Sequence, residues 1–186
     1  MPDLGQTLLT LARNAIAREF GQPSATPPPE ALATPELAQP GATFVTVTQR
    51  GQLRGCIGSL EAWRPLAQDV QANAIAAAFR DPRFAPLQAP ELAQTRVEVS
   101  LLTPAVPMQF SSEADALAQL QPNVDGVIFC VGARRSTFLP QVWEQLPDPA
   151  VFMAHLKQKA GLPAHFWSDD VRLERYQVRK WKEPAP

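Results

Sequence analysis

The stretch ATFVTVTQRGQLRGCIG, residues 42–58, decides the fold class. Its first half alternates threonine and phenylalanine with Val45 and Val47, the two-residue period of a strand that buries one face. Arg50-Gly51 closes this run, and residues 52–57 form a second run of strand-forming residues. The pattern therefore predicts a β-hairpin.

Helices and further strands are predicted on both sides of this hairpin. Apolar residues recur at a helical period in residues 4–20, 65–80, 111–121 and 148–161. Strand patterns cover residues 96–102, 127–131 and 171–181, and a change of apolar phase predicts a bulge or bend within the last one. Because strands and helices do not alternate in βαβ fashion, we predict an α+β fold with a mainly antiparallel sheet flanked by helices.

Composition restricts the class of protein. The chain has 186 residues, with 17 basic and 18 acidic side chains and a net charge of -1, which argues against a general polyanion binder. No apolar run is long enough to span a membrane and the start lacks a signal-peptide pattern, so a cytoplasmic protein is predicted. The length suits one domain, residues 1–186, or two small lobes that share a core, and the proline-rich residues 23–40 are predicted to be a surface connector.

Metal, cofactor and nucleic-acid sites are not expected. Two cysteines are too few for a disulfide framework, and His155 and His165 lack the spacing of a metal site. No glycine-rich phosphate loop is present. Basic residues interleave with aromatic residues in 172–182, but nearby acidic residues dilute the charge, so a solvated strand or an edge that meets a partner protein is favoured over nucleic-acid binding.

The segment Leu53-Arg-Gly-Cys-Ile-Gly58 carries the sharpest chemical signal. Two glycines beside a cysteine allow close backbone approach to a ligand or a bulged strand, and Arg54 could bind an anion or favour the thiolate of Cys56. The alternative is that Cys56 is a small buried side chain. Cys130, within Val-Ile-Phe-Cys-Val, is predicted to be a core residue in a strand buried on both faces.

Two further charged positions allow alternatives. Arg83, in Asp81-Pro-Arg-Phe84, either pairs with a carboxylate or forms an anion clamp together with Arg54. Glu98 lies on the polar face of its predicted strand, where it would be a partner for one of those arginines or a general base beside Cys56.

Several motifs together resemble the AMMECR domain family, whose bacterial members are called AmmeMemoRadiSam system protein A. The matching segments run in family order over roughly residues 42–181: Leu53–Gly58, 78–87, 97–104, 125–126, 138–142 and 152–162. The positions carried over are Arg54, Gly55, Cys56, Ile57, Gly58, Asp81, Pro82, Arg83, Phe84, Glu98, Ser100, Gly126, Gln141 and Lys159. This chain departs from the commoner pattern in its proline-rich residues 23–40 and in Trp63.

The resemblance implies two lobes with a cleft near the Arg-Gly-Cys-Ile-Gly segment, and Memo-type and radical-SAM proteins as partners, in a family without a settled activity. Two functions therefore stay open: a thiol-dependent enzyme acting on an anionic small molecule, and a non-catalytic interaction module. For the enzyme we expect catalytic roles for Cys56 and Glu98, and ligand binding by Arg54, Gly55, Ile57, Gly58, Arg83 and Ser100.

Overall fold

The computed structural model describes residues 3–186, which divide into two compact units. The first unit contains the described residues up to Leu102 together with Arg179–Pro186, and the second contains Thr103–Val178. Each unit has its own four-stranded sheet and its own apolar core. The predicted combination of helices with mainly antiparallel strands is confirmed.

The elements follow in chain order. The helices are α1 (Leu4–Glu19), α2 (Pro29–Leu32), α3 (Pro35–Ala38), α4 (Leu66–Phe79), α5 (Glu113–Gln119) and α6 (Pro149–Lys159), with 3-10 helices at Ala89–Gln94 and Pro140–Glu144. The strands are β1 (Ala42–Gln49), β2 (Gln52–Gly58), β3 (Thr95–Leu102), β4 (Val106–Pro107), β5 (Gly126–Val131), β6 (Arg134–Phe138), β7 (Arg172–Tyr176) and β8 (Val178–Lys182). Among the described residues, no helix is long and apolar enough to cross a membrane.

The first sheet has the strand order β2-β1-β3-β8 and two chemically different faces. Four valines of β1 and β3 are fully buried and belong to the core that contains residues of α1 and α4. The intervening side chains are mostly polar and partly buried. Thr46 of β1 lies opposite Cys56 of β2 and Glu98 of β3, and Thr48 of β1 lies opposite Arg96 of β3. We call the side of the sheet that carries these five residues the polar face.

The β1–β2 hairpin closes with a tight turn and contains a register shift. Arg50 and Gly51 both have positive φ, 50° and 76°, as in a type I′ turn, whose twist matches that of the two strands. The pairing shifts between Val47 and Thr48 and leaves Arg54 without an opposite residue. The bulge that the glycine-flanked sequence allowed therefore lies at Arg54.

The second sheet has the order β4-β7-β5-β6 and covers an aromatic core. The rings of Trp143 and Phe152 stack with centroids 3.7 Å apart, and both residues are fully buried. The indole of Trp143 donates to the carbonyl of Asp125, which leads into β5. Lys157 of α6 is also buried, and its ammonium pairs with Glu113 of α5.

Three predictions about the fold need correction. Residues 171–181 form two strands in different sheets, so the predicted bend is the point where the chain leaves β7 for β8. Residues 134–138, which lie outside the predicted strands, form β6. The proline-rich segment 23–40 is more than a surface connector, because its two short helices bury Ala31 and Leu37. Proline at the first helical positions permits such short helices, since no amide donor is needed there.

Candidate functional site

Cys56 lies in β2, an edge strand of the first sheet, with its side chain partly buried on the polar face. The hydroxyl of Thr46, directly opposite on β1, donates to its sulfur at 3.3 Å. An O–H donor stabilises negative charge on sulfur, so this contact suits the nucleophilic form of the thiol. Thr46 is not among the residues predicted from the sequence, because its place opposite Cys56 depends on the register shift at Arg54.

The backbone of Cys56 is held by an ion pair at the free edge of the strand. A carboxylate oxygen of Asp81 accepts the Cys56 N–H at 3.0 Å, and Nη2 of Arg83 approaches the Cys56 carbonyl at 3.5 Å. Edge strands expose backbone donors and acceptors that would otherwise pair with another chain. The two side chains therefore occupy the backbone sites that a neighbouring strand would use.

Asp81 and Arg83 form a two-point ion pair of their own. Nε and Nη2 of Arg83 donate to the two carboxylate oxygens at 3.0 and 2.7 Å. The hydrogen bond from Arg83 is the main reason that the pKa of Asp81 lies well below its usual value, although burial opposes this. The same hydrogen bond raises the pKa of Arg83 although burial opposes this, and electrostatic interactions with Asp81 and Cys56 add to the rise.

The ion pair realises one of the two alternatives for Arg83, pairing with a carboxylate. The Arg83 side chain is nevertheless 57% exposed, so its guanidinium is accessible from solvent. Arg54 also has a carboxylate partner, because its Nε and Nη2 donate to Glu91 at 3.1 and 3.3 Å and its Nη1 donates to the carbonyl of Ala85 at 2.7 Å. The predicted clamp, in which Arg54 and Arg83 jointly bind an anion, is replaced by two separate ion pairs.

The two glycines beside Cys56 have packing roles. A Cβ at Gly55 would lie 1.9 Å from the carbonyl oxygen of Ala77 in α4, so β2 approaches the helix backbone too closely for any side chain. A Cβ at Gly58 would meet the ring of Phe44 at 2.2 Å. Ile57 packs against the core. Packing alone therefore accounts for the residue types at positions 55, 57 and 58, and no bound ligand is needed to explain them.

Glu98 and Ser100 lie on β3, with β1 between them and Cys56. Glu98 pairs with Lys182 at 3.0 Å, so its partner is a lysine of β8 and not one of the predicted arginines. The register places Thr46 between Glu98 and Cys56, which separates their backbones by two strand spacings, about 10 Å. This arrangement argues against Glu98 as a base beside the thiol. Ser100 is buried opposite Phe44.

A buried polar network that was not predicted from the sequence lies next to the end of β2. The carboxylate of Asp69 in α4 accepts hydrogen bonds from Thr43, Ser59, Arg64 and Asn73, and it has no exposed surface. Asp69 and Asn73 lie four positions apart on an otherwise apolar face of α4. This spacing could have predicted the network, because buried polar groups are almost always paired.

This network anchors the loop of residues 59–64. Ser59 and Arg64, at its two ends, both bind the same Asp69 carboxylate. Between these ends Trp63 is 70% exposed and Leu60 45% exposed, and the Arg64 guanidinium carbon lies 4.6 Å from the centre of the Trp63 ring. The loop thus presents two large apolar side chains from fixed ends.

Cys130 differs from its predicted place in the core. It is partly buried in β5, with Arg135 of β6 and Arg172 of β7 opposite it. Burial raises the pKa of the Cys130 thiol, Glu174 adds to this rise and Arg172 opposes it. The alternation along β5 is the cause, since Phe129 takes the core side.

A metal centre has no obvious place in residues 3–186. No group of three or more His, Cys, Asp or Glu side chains lies close enough there to hold an ion. The chemical groups that the first unit brings together are therefore the Cys56 thiol, the Thr46 hydroxyl and the Asp81–Arg83 ion pair.

Comparison with known proteins places these residues in a family. The family model described as AMMECR1 matches residues 9–181. A protein from Methanothermobacter thermautotrophicus is 38% identical over 97% of this chain and 95% of its own length, and protein MK0488 from Methanopyrus kandleri is 35% identical over 98% and 89%. The crystal structure of the uncharacterised protein PH0010 from Pyrococcus horikoshii is 31% identical, with a TM-score of 0.79 over 98% of this chain and 93% of that one. The chain belongs to the AMMECR1 family.

Proposed function

We propose that the polar face around Cys56 is a thiol site for a small anionic molecule. Cys56 is the nucleophile: its thiolate gives an electron pair to an electrophilic carbon of the bound molecule. A sulfur–carbon bond forms, and the displaced pair leaves with a leaving group or moves to a carbonyl oxygen. Arg83 contributes positive charge beside the reacting sulfur.

One observation carries this proposal: a partly buried cysteine is contacted by side chains at three points, once on its sulfur and twice on its backbone. Thr46 donates to the sulfur, Asp81 binds the N–H and Arg83 approaches the carbonyl. Buried structural cysteines pack as small apolar groups and need no such frame. Fixing a nucleophile before the substrate arrives lowers the entropic cost of reaction.

A pair of alkylating reagents tests the proposal. Iodoacetamide and iodoacetate transfer similar groups to a thiolate with loss of iodide, but only iodoacetate is an anion. If the site favours anions, the ratio of iodoacetate to iodoacetamide rate constants at Cys56 should exceed the ratio for free cysteine by about threefold.

Mass spectrometry of the native protein measures both rates, with Arg83→Gln as the matched variant. In that variant the ratio should fall toward that of free cysteine. A Cys56 that reacts with neither reagent until the protein unfolds contradicts the proposal, as does a ratio equal to that of free cysteine.

A second function, an interaction module, is supported by the exposed side chains of Trp63 and Leu60. Tryptophan dominates many protein interfaces because it buries a large area at little entropic cost. We propose that this loop contacts the Memo-type or radical-SAM proteins that the family resemblance implies. Here Cys56 would only pack.

Binding of the purified partners from the same organism separates the two functions. Trp63→Ala should weaken binding at least tenfold, and Cys56→Ser should leave it unchanged. Equal binding by wild type and Trp63→Ala removes the loop from the interface. Loss of binding in Cys56→Ser would instead connect the partner to the thiol site.

A further inference from the structure

A cavity of the first unit lies at the turn end of the β1–β2 hairpin. It has a volume of about 480 Å³ and is lined by Thr48, Arg50, Gln94 and Arg96 among others, with Ala185 and Pro186 forming part of its wall. Arg50 and Arg96 are the two residues with ionisable side chains in this lining, and both are cationic. The cavity is within the size range of small-molecule sites.

The backbone of Arg50 is unfavourable for an arginine. Its φ of 50° lies in the left-handed region, and the first central position of a type I′ turn strongly favours asparagine, aspartate or glycine. Non-glycine residues in this region are uncommon and cluster at functional sites. A turn that only had to close the hairpin would be more stable with asparagine, so the arginine side chain is the feature that needs explanation.

Arg96 supplies the second cation from a fixed position. It belongs to β3, where it lies opposite Thr48 of β1, and its Nε donates to the backbone carbonyl of Glu183. That bond orients the guanidinium group through one of its five N–H donors. The Thr48 hydroxyl and the Gln94 amide add uncharged donors to the same lining.

We propose that this cavity binds a small molecule through its phosphate or carboxylate group, with Arg50 and Arg96 as the two ligands of the anion. Guanidinium groups match both oxyanions with paired, charge-assisted hydrogen bonds. The predicted pair, Arg54 and Arg83, is occupied by Glu91 and Asp81, whereas no carboxylate side chain lines this cavity. The site does not depend on Cys56 and stands even if that thiol proves inert.

Arg50→Asn gives a sharp test, because its effects on stability and on binding have opposite signs. Asparagine suits the left-handed turn, so the Tm in chloride buffer should stay the same or rise. Binding of inorganic phosphate, measured by isothermal titration at constant ionic strength, should weaken at least tenfold. Arg96→Gln should weaken it similarly, and Arg80→Asn, which removes an exposed arginine elsewhere in this unit, should not.

Acetate in a parallel titration distinguishes the two kinds of anion. Preferential binding of phosphate identifies a phosphorylated ligand, and preferential binding of acetate identifies a carboxylate ligand. The proposal is overturned if wild type binds neither anion more tightly than Arg50→Asn does. It is also overturned if Arg80→Asn loses as much affinity as Arg50→Asn, because the attraction would then be that of the general surface charge.

Discussion

The surroundings of the two cysteines differ far more than their burial does. Both are partly buried and both lie on β-strands, Cys56 in the first unit and Cys130 in the second. Cys56 receives a hydrogen bond from Thr46 on its sulfur and is bound through its backbone by Asp81 and Arg83. Cys130 is flanked by strand neighbours, and its pKa is raised mainly by burial.

This difference shows that residue type and exposure alone do not identify a reactive cysteine. The fraction of thiolate depends on the hydrogen bonds and charges around the sulfur. At Cys130 the raised pKa reduces that fraction at neutral pH, and the nearby carboxylate of Glu174 acts in the same direction. At Cys56 the sulfur instead accepts a hydrogen bond from the Thr46 hydroxyl, and Arg83 approaches the backbone carbonyl of the same residue. The next three predictions test whether this contrast is real.

The largest effect is expected from Gly55→Ala, which should disrupt the strand that carries Cys56. The new methyl group would collide with the backbone carbonyl of Ala77, which cannot move without displacing α4. We expect a loss of about 3 kcal/mol or more in the free energy of unfolding, measured by urea denaturation.

Gly58→Ala is the matched control for that substitution. The atoms nearest to its methyl group would be ring atoms of Phe44, a partly buried side chain, and not helix backbone. The loss should therefore be smaller, about 1 kcal/mol. Equal losses at the two positions would mean that the close approach of β2 to α4 is not a constraint.

Asp81→Ala should have the next largest effect, because it leaves the Cys56 N–H and Arg83 without their acceptor. We expect a loss of about 2 to 3 kcal/mol at pH 7. Since the pKa of Asp81 is lowered in the folded protein, the stabilisation is complete above the unfolded value of about 4, declines as the pH falls below it, and is lost only as the pH passes the lower folded pKa. The difference in the free energy of unfolding between wild type and Asp81→Ala should therefore become smaller as the pH falls.

Urea denaturation of wild type and Asp81→Ala at pH 7, 5 and 3 measures the size of the loss in the free energy of unfolding and the direction in which it changes with pH. Asp115→Ala, in the second unit, removes a carboxylate that also accepts a backbone N–H, from Ser111 at 2.9 Å, but at an exposed site. Its effect should be clearly smaller. A difference for Asp81→Ala that stays constant from pH 7 to pH 3 would contradict the ion-pair account.

The smallest effect is expected from substitution of Arg83 or Arg54, and it is an effect on the rate of alkylation of Cys56. Arg83→Gln removes a charge coupled to the Cys56 thiolate and should slow alkylation of Cys56 by about twofold to fivefold. Arg54→Gln should change this rate less, because the guanidinium of Arg54 contacts Glu91 and Ala85, whereas that of Arg83 approaches the carbonyl of Cys56. A larger effect of Arg54→Gln than of Arg83→Gln would contradict this account and support the prediction from the sequence that Arg54 acts on the Cys56 thiol.

The fold could largely be predicted from the sequence because its signals are periodic and local. The alternation around Val45 and Val47 gave the hairpin, and helical spacing gave α1 and α4. The split between β7 and β8 could not be read in this way. A change of apolar phase marks a bend, but it does not say that the chain crosses to another sheet.

The candidate site could be predicted only in part, since its contacts join distant segments. Asp81 and Arg83 are two positions apart, so their pairing was one of the alternatives considered. Arg54 pairs with Glu91, 37 positions away, and no spacing rule reports such a contact. The opposition of Thr46 and Cys56 required the register of the hairpin, which the bulge at Arg54 shifts.

The most direct test is the rate of iodoacetamide alkylation at Cys56 and Cys130 in the same native sample, followed by mass spectrometry from pH 6.5 to 8.5. Cys130 serves as the internal control, and the unfolded protein gives the reference rate for each peptide. We predict that Cys56 reacts at least about tenfold faster than Cys130 at pH 7.5. Equal rates, or a Cys56 that reacts only after unfolding, would show that the contacts of Thr46, Asp81 and Arg83 with Cys56 stabilise the fold and do not activate the thiol.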